Sequence, residues 1–467
     1  MSKHEMMVVI KLLLEPDTAV SSTLDGQSRI CNWTYNTLLS HAQELRQGFI
    51  ETQNVEIAKI VYSERGLRNL LPKLKEEHLF MKVVHSSVLK NAALRLSDAI
   101  QTHQKSKKGK RKGPLVRWPK YRSWKKSWFS LFYDEPNKGF KIENDQLILS
   151  LGMGQERKQR SVSVRIKQAE LLKNKEIRNL RIVKQLGLFY AVFTVRKSLP
   201  ETKPISRIAA LDPNHKNLSY GVDAHGNAFE IESPSWLKIY DKRIDELKSK
   251  RDRCLRRSKQ VEVLDSDDKP INKTYWEPSK RWKKYNQTLE RALQKRREQS
   301  KTFLFTIAHR LYKIYDCIGI GNYAPNGNGL TTKMRRAMNN RSLIDRFKQV
   351  LSWVAVKSGK TFFEYDEKGT TRTCHCCRHV IEGGIKPHIR EWVCPGCGMD
   401  HIRDENAAQN GLSEVLRNLA KKSGEYPQVS CSDLASIMRR WAWRVLPGGV
   451  FCTLRRQNSE SIAASGN

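Results

Sequence analysis

Four cysteines in the last third of the chain constrain it more than any other feature. Cys374-x-x-Cys377 is followed by sixteen residues and then by Cys394-x-x-Cys397. Each CxxC pair on a tight turn aims two thiolates at one point, and two such turns complete a tetrahedral Zn²⁺ shell. A module this small has no core of its own, so the metal supplies its folding free energy. Four thiolates leave no open coordination position, which makes the expected zinc structural rather than catalytic. Gly396 and Gly398 give the second knuckle permissive backbone. His375, Cys376 and His379 add soft donors that could exchange into the first pair. Five of the ten cysteines lie between Cys374 and Cys397, the pattern of a metal site in a reducing cytoplasm rather than of a disulfide framework.

Charge names the kind of partner. The 467 residues contain 85 Lys and Arg against 48 Asp and Glu, a formal +37. A compact state with that excess repels itself and calls for a polyanion, so nucleic acid binding is expected. The length suits two or three domains. No apolar run reaches the roughly 18–20 residues that span a bilayer. The opening MSKHEMMVVIKLLLEPD is broken by Lys11 and ends at Glu15-Pro16, so it reads as a strand and not as a signal peptide. No membrane partner is expected.

Along the chain, residues 22–104 show apolar spacings of three and four and predict helices. Lys105 to Lys112 is a basic linker. GPLVRWPKYRSWKKSWFSLFY, residues 113–133, interleaves Trp118, Tyr121, Trp124, Trp128 and Phe129 with Arg and Lys. It is either a platform for stacking on bases or a strand with its aromatics packed inward. Short strands alternate with turns from there to about Lys197, and Leu186 to Phe193 is long enough for a central strand. A small β-barrel is the economical reading. Arg207 to Glu230 is strand, turn, strand. Two long basic helices lie between Trp236 and Tyr315, separated by a polar break with Asp265, Asp267, Asp268 and Pro270. Tyr315 to Tyr323 is a buried strand, and Pro325 to Thr332 a Gly- and Asn-rich loop. Arg341 to Ser358 is an amphipathic helix leading into strand Thr361 to Tyr365. After about Leu416 periodicity is lost, and the end reads as a frayed tail.

Two aspartates stand at chemically useful places. Asp212 ends the strand Ile208-Ala209-Ala210-Leu211 and opens a turn, as the first metal ligand of an RNase H-like sheet does. Asp404, in RDENAAQN, falls in the first turn of a helix. There a carboxylate can equally serve as a cap favoured by the helix dipole. Phosphodiester cleavage by two metal ions needs several converging carboxylates, so a third acid is wanted.

The order of these features resembles the TnpB family, insertion-sequence nucleases related to type V CRISPR effectors and to the eukaryotic Fanzor proteins. The resemblance runs to about residue 415. It is most specific over Thr370–Asn410, where the cysteine spacing, Trp392 and the ending Arg403-Asp404-x-Asn406-Ala407-Ala408-x-Asn410 match. It implies an α/β multidomain chain. An RNase H-like (RuvC) nuclease domain would span 201–370 and 399–416, with a basic helical hairpin at 236–315 and an inserted zinc ribbon at 371–398. A helical recognition domain would span 16–104, and a small β-barrel wedge domain 1–15 and 105–200. Residues 417–467 would form a partly disordered tail. It also implies a guide RNA, double-stranded target DNA, catalytic Mg²⁺ beside structural Zn²⁺, and a prokaryotic cytoplasmic, nucleoid-associated location. Asp212 and Asp404 match the family's first and last catalytic acids.

The middle acid departs from the pattern. Most members end the middle strand with a glutamate, whereas this chain reads Ile320-Gly321-Asn322-Tyr323. In Fanzors and their nearest bacterial relatives the glutamate is relocated to just before the ribbon, where this chain has Glu364 and Glu367. Glu367 is preferred as the middle acid, because ordinary members often carry proline there; Glu364 is the alternative. The rival reading is a nuclease-dead, RNA-guided DNA-binding repressor. A stand-alone transposase is a third reading, but no tyrosine or serine nucleophile stands in a recognisable setting.

Overall fold

The computed structural model describes residues 5–111, 113–122, 128–153, 160–264, 270–323, 341–386, 388–423, 437–446 and 449–454. These fall into two compact units, Met1–Ser198 and Leu199–Asn467.

In the first unit β1 (Glu5–Glu15) is followed by α1 (Thr18–Thr52), α2 (Val55–Tyr62), α3 (Leu71–Glu77) and α4 (Ser86–Lys107). Asp17 caps α1 by accepting from the Val20 N–H at 2.7 Å, satisfying one of the donors a helix start leaves open. The sheet is completed by β2 (Leu131–Tyr133), β3 (Phe140–Glu143), β4 (Gln146–Ser150), β5 (Ser161–Ile166), β6 (Glu176–Gln185) and β7 (Leu188–Ser198). Its order is β2-β6-β7-β1-β5-β4-β3, with the N-terminal strand paired antiparallel to β7 from Glu5↔Ser198 to Leu14↔Phe189. One core joins the two layers: Leu24, Leu38, Leu89 and Leu96 of the helices meet Leu131, Ile182 and Phe193 of the sheet.

Three expectations change here. The helix α4 runs into the basic linker as far as Lys107. Leu186 and Gly187 have positive φ, 50° and 86°, and form the β6–β7 turn rather than the start of a central strand. The aromatic segment becomes a strand only at its end, β2, and its described part before Leu131 is neither a strand nor a free platform. Asn36 exchanges two hydrogen bonds with the Arg122 backbone at 2.8 and 2.9 Å, and Asn32 Nδ2 donates to the Trp128 carbonyl at 2.8 Å. Arg122 stacks over the Tyr35 ring at 3.7 Å. Trp118 packs against the core while Tyr121 and Trp128 remain exposed. Trp124 lies outside the described residues.

The second unit opens with β8 (Ile208–Pro213), β9 (Ser219–Asp223) and β10 (Asn227–Ile231), then α5 (Ser235–Arg256). A short hairpin, β11 (Gln260–Leu264) and β12 (Pro270–Trp276), leads to α6 (Lys280–Ile314) and β13 (Cys317–Gly321). Next come α7 (Ile344–Ser358), β14 (Thr361–Tyr365), β15 (Glu391–Val393), β16 (Asp400–Ile402) and α8 (Arg403–Ser423). The hairpin β17 (Arg439–Leu446) and β18 (Gly449–Leu454) ends the described chain. The polar break between the basic helices is therefore a β-hairpin, with Asp265, Asp267 and Asp268 outside the described residues, as is the loop Pro325 to Thr332.

The main sheet runs β14-β13-β8-β9-β10-β17-β18. β8, β9 and β10 are antiparallel, while β13 and β14 lie parallel to β8, which is the strand order of RNase H-like folds. β8 and β13 read as continuous small and apolar runs because both faces are covered. Ala209, Leu211 and Ile320 pack against Phe303, Ile307, Phe347 and Leu351 of α6 and α7. On the other face Ala210, Val222 and Tyr365 pack against Ala408, Leu412 and Val415 of α8.

The expected frayed tail is corrected over 439–454. β17 pairs parallel with β10, Asn227↔Arg439 to Ile231↔Trp443, and antiparallel with β18. Trp443 is buried against Phe229 with ring centroids 4.7 Å apart. The alternation of Trp441 and Trp443 with Arg440, Ala442 and Arg444 suits a strand with one face buried. This covers the edge that β10 would otherwise present.

Candidate functional site

The side-chain period of two decides which acids can meet. Asp212 is two residues beyond Ala210 and so points to the α8 face of the sheet, where it is buried. Its carbonyl accepts from the Ser219 hydroxyl at 3.0 Å. On β13, Gly319 lies against α8: a Cβ there would stand 2.0 Å from Val415 Cγ2. Gly321 is next on that face. A Cβ on it would come within 1.9 Å of Glu367 Oε1 and 2.3 Å of Glu367 Cγ. The Glu367 side chain thus fills the space over Gly321 that a residue with a side chain would take. Its own N–H donates to Asn322 Oδ1 at 3.2 Å. Glu364 points the other way, its carboxylate 3.9 Å from Lys348 of α7 and about half-exposed. Asp404 stands in the first turn of α8 and takes two hydrogen bonds from Arg390 Nη1, at 2.9 and 3.1 Å.

These acids feel one another. Burial raises the Asp212 carboxyl well above the usual carboxylate range, and the charges of Glu367 and Asp404 push it further up against the weaker pull of Arg403. Burial likewise raises Glu367 to about 7, although Lys348 and a hydrogen bond from the Tyr323 N–H oppose the shift. Glu367 Oε1 is buried without a hydrogen-bond partner. An orphaned oxygen beside a buried acid is a donor set that a hard divalent cation such as Mg²⁺ would satisfy. Among the described residues the carboxylates are not drawn together as closely as the cysteines are.

The four sulfurs of Cys374, Cys377, Cys394 and Cys397 all lie within 4.8 Å of one another. Cys374 and Cys397 are 3.8 Å apart and Cys377 and Cys394 3.6 Å. A tetrahedron with Zn–S bonds of about 2.3 Å has edges of about 3.8 Å, so the quartet fits zinc. Of the additional donors, Cys376 is exposed, His375 is hydrogen-bonded to Asn406, and neither they nor His379 join the group. A residue the sequence reading missed, His401, is buried with Nε2 3.1 Å from the Cys374 sulfur. Trp392 lies against it, centroids 4.5 Å apart.

Other contributors escaped notice as well. Glu405 is buried, takes two bonds of 3.0 Å from Arg440 of β17 and accepts from the Tyr220 hydroxyl at 2.9 Å. Tyr365 reaches from β14 to donate to the Leu211 carbonyl at 2.7 Å. Gly411 of α8 makes room for its ring, since a Cβ would stand 2.3 Å from it. His215 and Tyr323 meet at 2.6 Å. Asn406 and Asn410, four apart and so on one face of α8, both bond Thr370 and Thr373. That spacing in RDENAAQN was the available signal.

Strand order gives an RNase H-like α/β sheet, and the same unit carries a four-cysteine ribbon. Residues 345–410 match the family model for the Cas12f1-like TNB domain. A TnpB-like protein of Acanthamoeba polyphaga mimivirus is 30% identical over 144 residues, 30% of this chain and 27% of the relative. A Mycobacterium tuberculosis protein named "Putative RNA-guided DNA endonuclease" is 46% identical over 41 residues, 9% of this chain and 8% of the relative. The chain therefore aligns with about a quarter or less of the length of these curated relatives. In fold it is similar to the protein of a Cas12f1–sgRNA–target DNA complex, with a TM-score of 0.53 at 11% identity over 84% of this chain and 82% of that one. Over these matched stretches the chain is similar to TnpB-like proteins. No helix among the described residues is long and apolar enough to cross a membrane.

Proposed function

We propose that this chain is an RNA-guided, Mg²⁺-dependent DNA endonuclease, with Asp212, Glu367 and Asp404 as its metal-binding acids and a relocated, Fanzor-like middle glutamate. The observation that carries the reading is the Glu367 carboxylate lying over Gly321, on the face of the sheet that Asp212 also uses. A nuclease-dead descendant has no reason to keep that replacement in register. The matched Cas12f1-like TNB domain and the names of the relatives support a guide RNA and double-stranded target DNA as partners. The charge of +37 supplies the means of holding them.

Divalent ions on such carboxylates activate water and steady the leaving oxygen of a phosphodiester. The chain's own residues do the holding. Asp212 is fixed by the end of β8 and Glu367 by the Asn322 and Tyr323 contacts. Asp404 is fixed by α8 and by Arg390, whose Nη1 donates to both of its carboxylate oxygens and which a bound cation would have to displace in part. The ribbon, loaded with Zn²⁺ on its four thiolates, secures the chain between Glu367 and Asp404.

The test is cleavage of a plasmid library by the protein purified with co-expressed RNA, in Mg²⁺ and in EDTA, beside Asp212→Ala, Glu367→Ala and Asp404→Ala. Metal-dependent cutting lost in all three variants, with guided binding kept, is expected. Guided binding without cutting by the unaltered protein would make it a repressor-like binder instead.

A further inference from the structure

We propose that Asn406 and Asn410 are positioning residues that set the place of Glu367, an inference that rests on the reading of Glu367 as the middle acid. The two side chains are among the most buried polar groups of the second unit, 1% and 4% exposed. Each amide nitrogen donates to the same two carbonyls. Asn406 Nδ2 is 3.2 Å from Thr370 O and 2.9 Å from Thr373 O. Asn410 Nδ2 is 2.9 and 2.7 Å from them. A carbonyl has two acceptor lone pairs, so this doubled grip uses the full capacity of both oxygens and leaves the segment no second way to be satisfied.

Thr370 passes the constraint on. Its N–H donates to the Glu367 carbonyl at 3.1 Å and its hydroxyl to the same oxygen at 3.0 Å. The backbone of Glu367 is thereby tied, through one residue, to the helix that carries Asp404. The amide oxygens hold the far side of the segment. Asn406 Oδ1 accepts from the His375 N–H at 2.9 Å, and Asn410 Oδ1 accepts from Arg378 Nη1 at 2.8 Å. These partners flank Cys374 and Cys377 in sequence. A glutamate placed in a loop rather than on β13 lacks the fixed direction a strand gives its side chains, and the paired amides replace it. Without them the carboxylate would still be present, held over Gly321 by the Asn322 and Tyr323 contacts alone.

A merely structural clamp would act on folding and on the ribbon alone, so the test reads the coupling to Glu367. Mn²⁺ binding to the full-length protein is titrated for the unaltered chain, Asn410→Asp, Thr370→Val, Glu367→Gln and the two doubles with Glu367→Gln. Asn410→Asp keeps the oxygen that Arg378 needs and sets an acceptor, in place of the donor, against the two carbonyls. Thr370→Val removes only the hydroxyl bond and guards against a variant that fails to fold. Outer groups that orient metal ligands are worth about 10–100-fold in affinity. Each single variant is expected to weaken Mn²⁺ binding by about tenfold in the Glu367 background and by little in the Glu367→Gln background, with zinc content unchanged. Equal losses in both backgrounds, no loss in either, or losses that follow zinc release would overturn the proposal. Guided cleavage is measured in parallel. A protein that shows the coupling but never cuts would refute the endonuclease reading and leave the positioning role standing.

Discussion

Replacing Glu367 by glutamine should make the metal-free protein more stable at neutral pH, although it removes a residue of the proposed active site. Burial raises the Glu367 carboxyl from 4.5 to about 7, and each tenfold change in an equilibrium is worth about 1.4 kcal/mol. With a discount for its partial exposure, ionised Glu367 costs about 2–3 kcal/mol in the native state. The sign follows from proton binding. Below 4.5 both native and unfolded chains hold the proton, and the residue makes no difference. Between 4.5 and about 7 the unfolded chain releases it while the native chain keeps it, so stability falls as pH rises. Above about 7 the full cost is present. Glutamine removes that slope and has the same shape. For a unit of this size the gain is a few °C in Tm at about pH 8, shrinking towards about pH 5. Thermal unfolding of the zinc-loaded protein in Mg²⁺-free buffer at both pH values measures it. Mg²⁺ should then invert the order, because only the glutamate form gains from binding the ion. Identical melting of the two proteins at pH 8, or a gap that does not narrow in acid, would refute the idea that this carboxylate is held under strain for a cation.

Other outcomes can be expected from the same geometry. Gly321→Ala puts a Cβ where Glu367 Oε1 lies and should reduce guided cleavage by at least tenfold while binding persists. Gly321→Glu combined with Glu367→Ala, which moves the acid onto the strand, should cut better than either single variant. Cys394→Ser should lower bound zinc, measured by metal analysis, and reduce soluble yield. Arg440→Ala leaves the buried Glu405 carboxylate with only the Tyr220 hydroxyl and should destabilise the second unit by about 2–3 kcal/mol in chemical denaturation. Nucleic acid affinity should fall steeply between low and moderate salt, since many phosphates are neutralised.

The parts legible in the sequence are those whose cause is local. The cysteine spacing is visible because two CxxC turns need no distant partner. Asp212 is visible because an apolar strand ending in an acid is a short pattern, and α7 because its apolar period runs unbroken. The sequence already favours Glu367 over Glu364, but which face of β14 meets α8 is not legible there, and Glu367 lies one loop residue, Asp366, beyond Tyr365, the last strand position. Gly321 pointed to a missing acid and the resemblance nominated Glu367 for it, but that the Glu367 side chain lies over Gly321 was not legible. The hairpin β17–β18 escaped because its partner, β10, is remote in sequence, so propensity alone could not assign it. Arg440 and Glu405 looked like ordinary surface charges for the same reason. Asn406 and Asn410 stood in the recognised motif, yet the carbonyls they hold become visible only once the ribbon is folded back on α8.

The hairpin also sets an order of events during synthesis. β10 ends at Ile231, and its partner β17 begins only at Arg439. At ribosomal speeds of about 5–20 residues per second, the edge of β10 waits about 10–40 s for its cover. Glu405 waits with it for Arg440. The proposed acids arrive at positions 212, 367 and 404, so a nascent chain has no complete set until α8 emerges, and no braced α8 until β17 follows. A chain released by a ribosome that stalls before position 404 therefore lacks at least one of the proposed acids, and one released between 404 and 439 lacks the strand that braces α8.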